Sequence, residues 1–587
     1  MSVERPVGVP AERGPAEWGS DVVVDLLHEL DVPYVPMNPG SSFRGLHDSL
    51  VNHGGNTDPQ LLLCLHEEVA VALAHGWAKA TGRLGVAAIH DLVGLQHASM
   101  AVYDAFCDRT PLLLLGGSGP ADPAQRRPID WIHSATTQAQ LVRDFTVWDA
   151  EPITPAAFAA DVVRARQRAL SAPQGPAYVS LDAGVQEARL DAPVPLPDHT
   201  RHAPAPPIAA DPASLAQAAE LLAGARFPVV VAGRVGLDPR ATAAVAGLVE
   251  LLGCAYRDDR NTVVLPTRHP QNCTGDAALL READVVLAID VVDLNALLHR
   301  PDRGPRGTAP VATDGPVVID LSHGDLAQPS WTNAFGSPVA RDVQLLADPL
   351  TGVAQLVEAL QGRDLAAADE RRATVTARAQ QLRAAQLEAV RARWDDRPIS
   401  PARLVAETWA AVRDVDHLLC LRNTRTWPEG VWEFPGAGSY LGHSGGGGVG
   451  YGPGALVGGA LAARDRGQLG VGIIGDGDLL MASSALWTAV HYGIPALVVV
   501  NDNSSFYNDE PHQAEVARHR GRPEQNSWIG MRISDPPVDL AGLAVSYGCW
   551  AEGPVTEPEE LAPALGRALK EALSGAVAVV HVKVAPR

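Results

Sequence analysis

The chain has 587 residues, 46% hydrophobic and 20% charged, with a formal net charge of −21. That length predicts three or four domains with ample core in each, and the acidic balance without basic runs argues against nucleic acid and anionic membrane as partners. No apolar stretch reaches the ~18 residues of a membrane span, the first residues lack a charged-then-apolar leader pattern, and six cysteines without a C-x-x-C pair suit a reducing cytoplasm.

Residues 1–18 read as a loose tail and 19–190 as a first α/β unit. Gly19–Leu30 has helical periodicity with Ser20 as N-cap. Strands are expected at Val32–Val35, ending in Asn38-Pro39-Gly40-Ser41, and at Leu61–Leu65, ending in His66-Glu67-Glu68. Further strands are expected at Gly85–Ile89, ending in His90, at Pro111–Leu115 and at Ala177–Leu181. The helix Val69–Thr81 carries Ala70, Ala74 and Ala78, small enough for close packing. Residues 191–212 hold Pro193, Pro195, Pro197, Pro204, Pro206, Pro207 and Pro212 and read as an extended linker.

A second α/β unit spans 213–362, with strands at Pro228–Val231, Val285–Ile289 and Val317–Ile319 and a helix at Arg240–Leu252. Its glycine pattern after the first strand, Gly233-Arg234-Val235-Gly236, is not G-x-G-x-x-G and gives no warrant for a flavin or nicotinamide. His299 reads as a solvated loop residue. Residues 363–396 predict a connecting helix on the surface, with Arg371, Arg372, Arg378 and Arg383 as solvated charges. The third unit, 397–587, opens on Ser400-Pro401, a good helix start, and closes on a strand at Val577–Val584.

The third unit carries the strongest chemical signal. An apolar run, Leu469–Ile474, ends in Gly475-Asp476-Gly477. A helical segment follows, with Leu480, Leu486, Trp487 and Val490 on one side. A second apolar run, Ile494–Val500, ends in Asn501-Asp502-Asn503. A carboxylate and a carboxamide thus stand at neighbouring strand ends, the edge where open parallel sheets bind ligands. Both are oxygen ligands for a hard cation such as Mg²⁺, which completes its octahedron with phosphate oxygens and water. Among 55 glycines a lone GDG is weak and reads as a tight turn; Asn503, after a matching strand, sharpens it. The run Gly445–Gly450 precedes a helix expected at Ala455–Ala463. Such glycines suit a backbone that wraps an anion or an aromatic ring.

Asp476 with Asn503 twenty-seven residues later resembles the metal–diphosphate motif of thiamine-diphosphate enzymes. Ser484–Ala489 with Ile494-Pro495, and Leu265–Pro270, are similar to benzoylformate decarboxylase. Leu65-His66-Glu67, before a helix with Gly76-Trp77-Ala78, is similar to the activating-glutamate segment of the same enzymes. The resemblance covers nearly the whole chain and points to the acetolactate synthase and benzoylformate decarboxylase superfamily. One departure is visible: the usual Asn-Asn is Asp502-Asn503 here.

The resemblance implies an α/β fold of three doubly wound parallel-sheet domains: pyrimidine-binding, central and diphosphate-binding. It implies thiamine diphosphate and Mg²⁺ as cofactors; FAD, bound by some relatives, is not expected. Asp476, Asn503 and the backbone carbonyl of Ser505 become the metal ligands, and Asp502 takes the non-ligand place. Gly448, Gly450, Gly475, Gly477 and Asp478 join the cofactor-binding segments, and Val449 becomes the apolar wedge under the cofactor. Glu67, with Glu68 as the neighbouring alternative, becomes the carboxyl that hydrogen-bonds a pyrimidine nitrogen and favours the imino tautomer. His90 becomes a proton shuttle and Ser41 a hydrogen-bond donor to the substrate carboxylate. Asp509 is either an acid near the reacting centre or a helix cap.

The implied reaction is decarboxylation of a 2-oxo acid, through an enamine (acyl-anion) intermediate, to an aldehyde or a carboligated product. Acetolactate-synthase-like acyl transfer and C–C hydrolysis of a diketone are the alternatives, and a non-catalytic cofactor-binding subunit is a remote one. The partners are then a small 2-oxo acid, an aldehyde or ketone acceptor and a second copy of the chain. In such a dimer, or dimer of dimers, Glu67 and Asp476 serve one cofactor from different chains. Substrate choice is expected in the Ser504–Glu510 tail.

Overall fold

The computed structural model describes residues 4–9, 13–259, 262–301, 308–310, 315–324, 339–422, 427–442 and 445–586, without the side chains of 299–301 and 308–310. The side chain of His299 therefore lies outside the described residues, as do His443 and Ser444 ahead of the glycine run.

Three parallel sheets with flanking helices form the fold, as the sequence predicts. The first contains β1 (Tyr34–Met37), β2 (Gln60–Leu63), β3 (Gly85–Ile89), β4 (Leu112–Ser118), β5 (Trp148–Ala150) and β6 (Pro176–Asp182), in the order β2-β1-β3-β4-β6-β5. The second contains β7 (Pro228–Ala232), β8 (Ala255–Asp258), β9 (Val285–Ile289), β12 (Val317–Ser322) and β13 (Val343–Leu346), in the order β13-β12-β9-β7-β8. A small antiparallel pair, β10 (His299–Pro301) and β11 (Thr308–Pro310), interrupts it. The third contains β14 (His417–Leu421), β15 (Leu469–Gly475), β16 (Ala496–Asp502), β17 (Trp550–Val555) and β18 (Val577–Lys583), in the order β14-β15-β16-β18-β17. Central strands such as β4 and β16 are buried on both faces. Their unbroken apolar runs follow from helices covering each side of a parallel sheet.

Several local expectations change. Ser20 lies buried inside the first helix, Gly19–Glu29, whose cap position is Trp18. The Trp18 and Glu17 amides donate to Asp21 at 3.0 and 2.9 Å instead. The helix expected after Asp476 breaks into Asp476–Met481 and Ala485–His491, because Ala482 leaves helical geometry with φ −138° and ψ 35°. The connecting helix, Ala368–Arg391, is less solvated than its charges suggest. Buried Arg371 donates to the Leu252 and Ala225 carbonyls. Arg378 pairs with Asp276 and Glu282, and Arg383 donates to the Thr267 carbonyl. These guanidinium groups dock the helix on the second domain.

The first and third domains meet where helix Glu67–Thr81 crosses helix Tyr451–Arg464. One core cluster runs through both. The crossing depends on missing side chains. A Cβ on Gly76 would lie 2.1 Å from the Ala455 carbonyl oxygen, and one on Gly458 would lie 2.0 Å from the Leu73 carbonyl oxygen. Backbone meets backbone there, so neither position accepts a side chain without moving a helix. Gly458→Val is expected to destabilise the protein by about 3 kcal/mol, read as a lower urea midpoint. An unchanged midpoint would show that the crossing is not rigid. The first and second domains are joined by a buried ion cluster. Asp290 meets Arg109 at 2.9 Å and Arg234 at 3.2 Å.

Candidate active site

Helix Glu67–Thr81 starts at the carboxyl edge of the first sheet, beyond β2. His66 caps it: its Nδ1 accepts the Glu68 N–H at 3.2 Å. Glu67 is buried, 7% exposed, and its Oε2 lies 3.1 Å from His97 Nδ1. His97 belongs to helix Asp91–Cys107 and stacks on His66, with ring centroids 4.8 Å apart and planes 18° apart. Burial, then the neighbouring His97, lowers the His66 pKa.

The glycine run of the third domain lies along helix Asp91–Cys107. Gly446 packs on Tyr103 and Asp104, and Gly448 on Met100. Gly450 turns the chain at φ 102°, and its N–H donates to Asp478 at 2.6 Å. A Cβ there would sit 3.4 Å from Glu68 Oε1. Burial, then the charge of Asp478, pushes Glu68 up to about 7, and burial pushes Asp478 up to about 6. The acidic start of the first domain's helix and the glycine loop of the third thus converge within one chain. The resemblance implies that the two halves of one cofactor site come from different chains; here Glu68 and Gly450, from the two domains, meet within one chain.

At the carboxyl edge of the third sheet, Asp476 follows β15 and is 5% exposed. Burial, then the neighbouring Asp502 at the end of β16, pushes its carboxyl up to about 7. Burial would raise Asp502 too, but His581 and Lys583, each 2.6 Å from Oδ2, hold it well below the usual carboxylate range. Ser504, at φ 55°, turns the chain, and Asn503 Oδ1 accepts the Ser505 N–H at 3.0 Å. Among the described residues, no backbone N–H donates to the Ser505 carbonyl. Asp476, Asn503 and that carbonyl offer hard oxygen ligands, and Asp502 is engaged by His581 and Lys583. A buried acid with an acidic neighbour fits a divalent cation such as Mg²⁺.

His90 ends the first domain's β3 and lies 2.8 Å, through Nδ1, from Ser42 Oγ. Its ring centroid is 5.2 Å from that of His133, and burial followed by His133 lowers its pKa. Gly40 packs flat on this ring; a Cβ there would meet it at 2.3 Å. Ser41 is exposed, with Arg127 Nη2 at 3.5 Å. The short turn Ser41–Phe43 therefore brings Ser42, not Ser41, onto His90. Asp91 is buried at φ 38°, and burial pushes its carboxyl up to about 6. Asp509 is exposed and stands at the cap position of helix Glu510–His519 without a capping bond, whereas Glu510 is buried and accepts from the Ser505 hydroxyl. Val449 is 43% exposed beside the glycine loop.

Residues 17–141 match the family description "Thiamine pyrophosphate enzyme, N-terminal TPP binding domain" and residues 423–582 match its C-terminal TPP binding domain. The chain belongs to the thiamine pyrophosphate enzyme family. The enzyme is 24% identical to a probable acetolactate synthase large subunit of Methanocaldococcus jannaschii, over 94% of this chain and 90% of that protein. It is 25% identical to benzoylformate decarboxylase of Pseudomonas aeruginosa, over 90% of this chain and 94% of that protein. The fold matches the crystal structure of benzoylformate decarboxylase from Polynucleobacter necessarius with a TM-score of 0.77, at 18% identity, over 97% of this chain and 99% of that one.

The two matched regions carry Glu67 and Asp476, on the two sides of the junction. No motif or firm register marks His97, Ser42 or His133. His97 alone leaves a trace, as a histidine two helical turns past His90. No helix among the described residues is long and apolar enough to cross a membrane.

Proposed function

We propose that the enzyme decarboxylates a 2-oxo acid with thiamine diphosphate and Mg²⁺, releasing an aldehyde or joining the acyl unit to an aldehyde or ketone acceptor. The observation that carries this is buried Glu67 at the start of a helix whose next residue, Glu68, meets the glycine loop of the other cofactor-binding domain. When bound, thiamine diphosphate supplies the electron sink for cleaving the bond to the carboxylate.

Each of the site residues then has a task. Asp476, Asn503 and the Ser505 carbonyl would hold the metal, which would supply positive charge for the diphosphate. Saturation of Asp502 by His581 and Lys583 supports Asn503 as the ligand. Gly475, Gly477, Gly448 and Gly450 give the backbone its close approach, and Asp478 fixes the Gly450 N–H. Val449 would give the cofactor apolar support, and Glu67 would hydrogen-bond its pyrimidine. His90, oriented by Ser42, moves a proton; Ser41 contacts the substrate carboxylate, and Asp509 and the Ser504–Glu510 segment shape the far wall. Leu65, Val449, Met481 and Phe506 are exposed around the junction. Such apolar surface supports a second copy of the chain as its cover, in a dimer or dimer of dimers.

Acyl transfer is the second reading, supported by the likeness to a probable acetolactate synthase. A panel of 2-oxo acids, assayed for CO₂ and coupled product with and without acceptor aldehydes, separates the two. At least one acid should release CO₂ only when both thiamine diphosphate and Mg²⁺ are present. Release from none would overturn decarboxylation and leave C–C hydrolysis of a diketone.

A further inference from the structure

We propose that His97 is a positioning residue for Glu67: it holds one carboxylate oxygen and leaves the other for the ring nitrogen of the cofactor. This rests on the role given to Glu67 above. Among the described residues, His97 is the hydrogen-bond partner of Glu67, at 3.1 Å from Oε2, while Oε1 accepts none. Gly94 backs the carboxylate without a side chain; a Cβ there would lie 3.0 Å from Oε1 and 3.1 Å from Cγ and would crowd the second oxygen. The carboxylate is therefore gripped at one oxygen and given room at the other.

His97 is itself 58% exposed at its side chain. An exposed side chain loses rotamer freedom when it is fixed, and something must offset that cost. The stack on His66 does so, at 4.8 Å and 18°, and His66 is in turn held by the Glu68 N–H. The helix cap thus orders one imidazole, that imidazole orders the second, and the second orders the acid.

Two imidazoles and a carboxylate are also a ligand set for a transition metal, and their ligand atoms all lie within 4.8 Å of one another. Two features favour the hydrogen-bonded chain. His66 Nδ1 is engaged by the helix cap, and the partial positive charge of a helix N-terminus disfavours a cation.

Calorimetric titration of thiamine diphosphate, in Mg²⁺ buffer, into cofactor-free protein tests the proposal. His97→Leu should weaken binding about tenfold, and turnover of the loaded variant should fall with it. His97→Gln, which keeps a donor, should restore both to within about twofold of wild type. In a Glu67→Ala background, His97→Leu should change nothing. Wild-type affinity in His97→Leu, or an equal loss in the Glu67→Ala background, would overturn the proposal. So would Zn²⁺ alone binding to the cofactor-free protein and being lost in His97→Leu, which would assign the cluster to a metal. Wild-type protein that binds no thiamine diphosphate would overturn the proposal together with the function beneath it.

Discussion

Glu67→Gln is expected to bind thiamine diphosphate and Mg²⁺ with affinity close to wild type and to turn over about 10²–10⁴-fold more slowly. The amide keeps the size of the carboxyl and can still meet His97, so the buried site need not rearrange. What it loses is a group able to share a proton with the pyrimidine nitrogen, and that exchange is the whole task assigned to Glu67. Single-turnover CO₂ release with saturating cofactor separates chemistry from binding. Turnover within a few-fold of wild type would remove Glu67 from the mechanism and promote Glu68, whose carboxyl sits beside the glycine loop and is pushed up to about 7.

Asp476→Asn should do two opposite things. It should weaken Mg²⁺ and cofactor binding, because a neutral amide is a poor substitute for a carboxylate on a hard cation. It should also make the cofactor-free protein more stable at pH 8, by about 1–2 kcal/mol. The sign follows from linkage. Asp476 has a folded pKa of about 7 against an ordinary 3.8. Below 3.8 it is protonated in both states and contributes nothing. As pH rises towards 7 the unfolded chain ionises freely while the folded site resists, so stability is lost. Asp502 runs the other way, since its depressed pKa contributes stability that disappears only in acid. Removing the charge of Asp476 therefore stabilises at pH 8 and far less at pH 4, read from thermal midpoints without Mg²⁺. A variant no more stable than wild type at pH 8 would show that Asp476 is not strained by its surroundings.

The three-sheet architecture is legible because each buried strand is an apolar run bounded by turn residues, and the proline-rich segment marks a break between units. Asp476, Asn503 and Glu67 are legible because each follows such a run directly. Other features depend on contacts that chain order conceals. Asp502 meets His581 across 79 residues, and Arg109 meets Asp290 across 181. Ser41 and Ser42 are adjacent and chemically alike, and only the short turn that swings one of them inward decides which reaches His90. The connecting helix shows the same limit. Its arginines read as solvated because propensity and charge count carry no information about the carbonyls and carboxylates waiting on the neighbouring domain.

The crossing of helices Glu67–Thr81 and Tyr451–Arg464 also sets a timetable for biosynthesis. The earlier helix is buried on nearly every side only because the later one covers it. Roughly 370 residues of chain separate the two, which at ribosomal speeds of 5–20 residues per second amounts to about 20–75 s. During that interval the first domain has its sheet but not its cover, and an apolar helix face is offered to solvent. A nascent chain stalled before Tyr451 should therefore recruit holding chaperones, and one released after Arg464 should shed them.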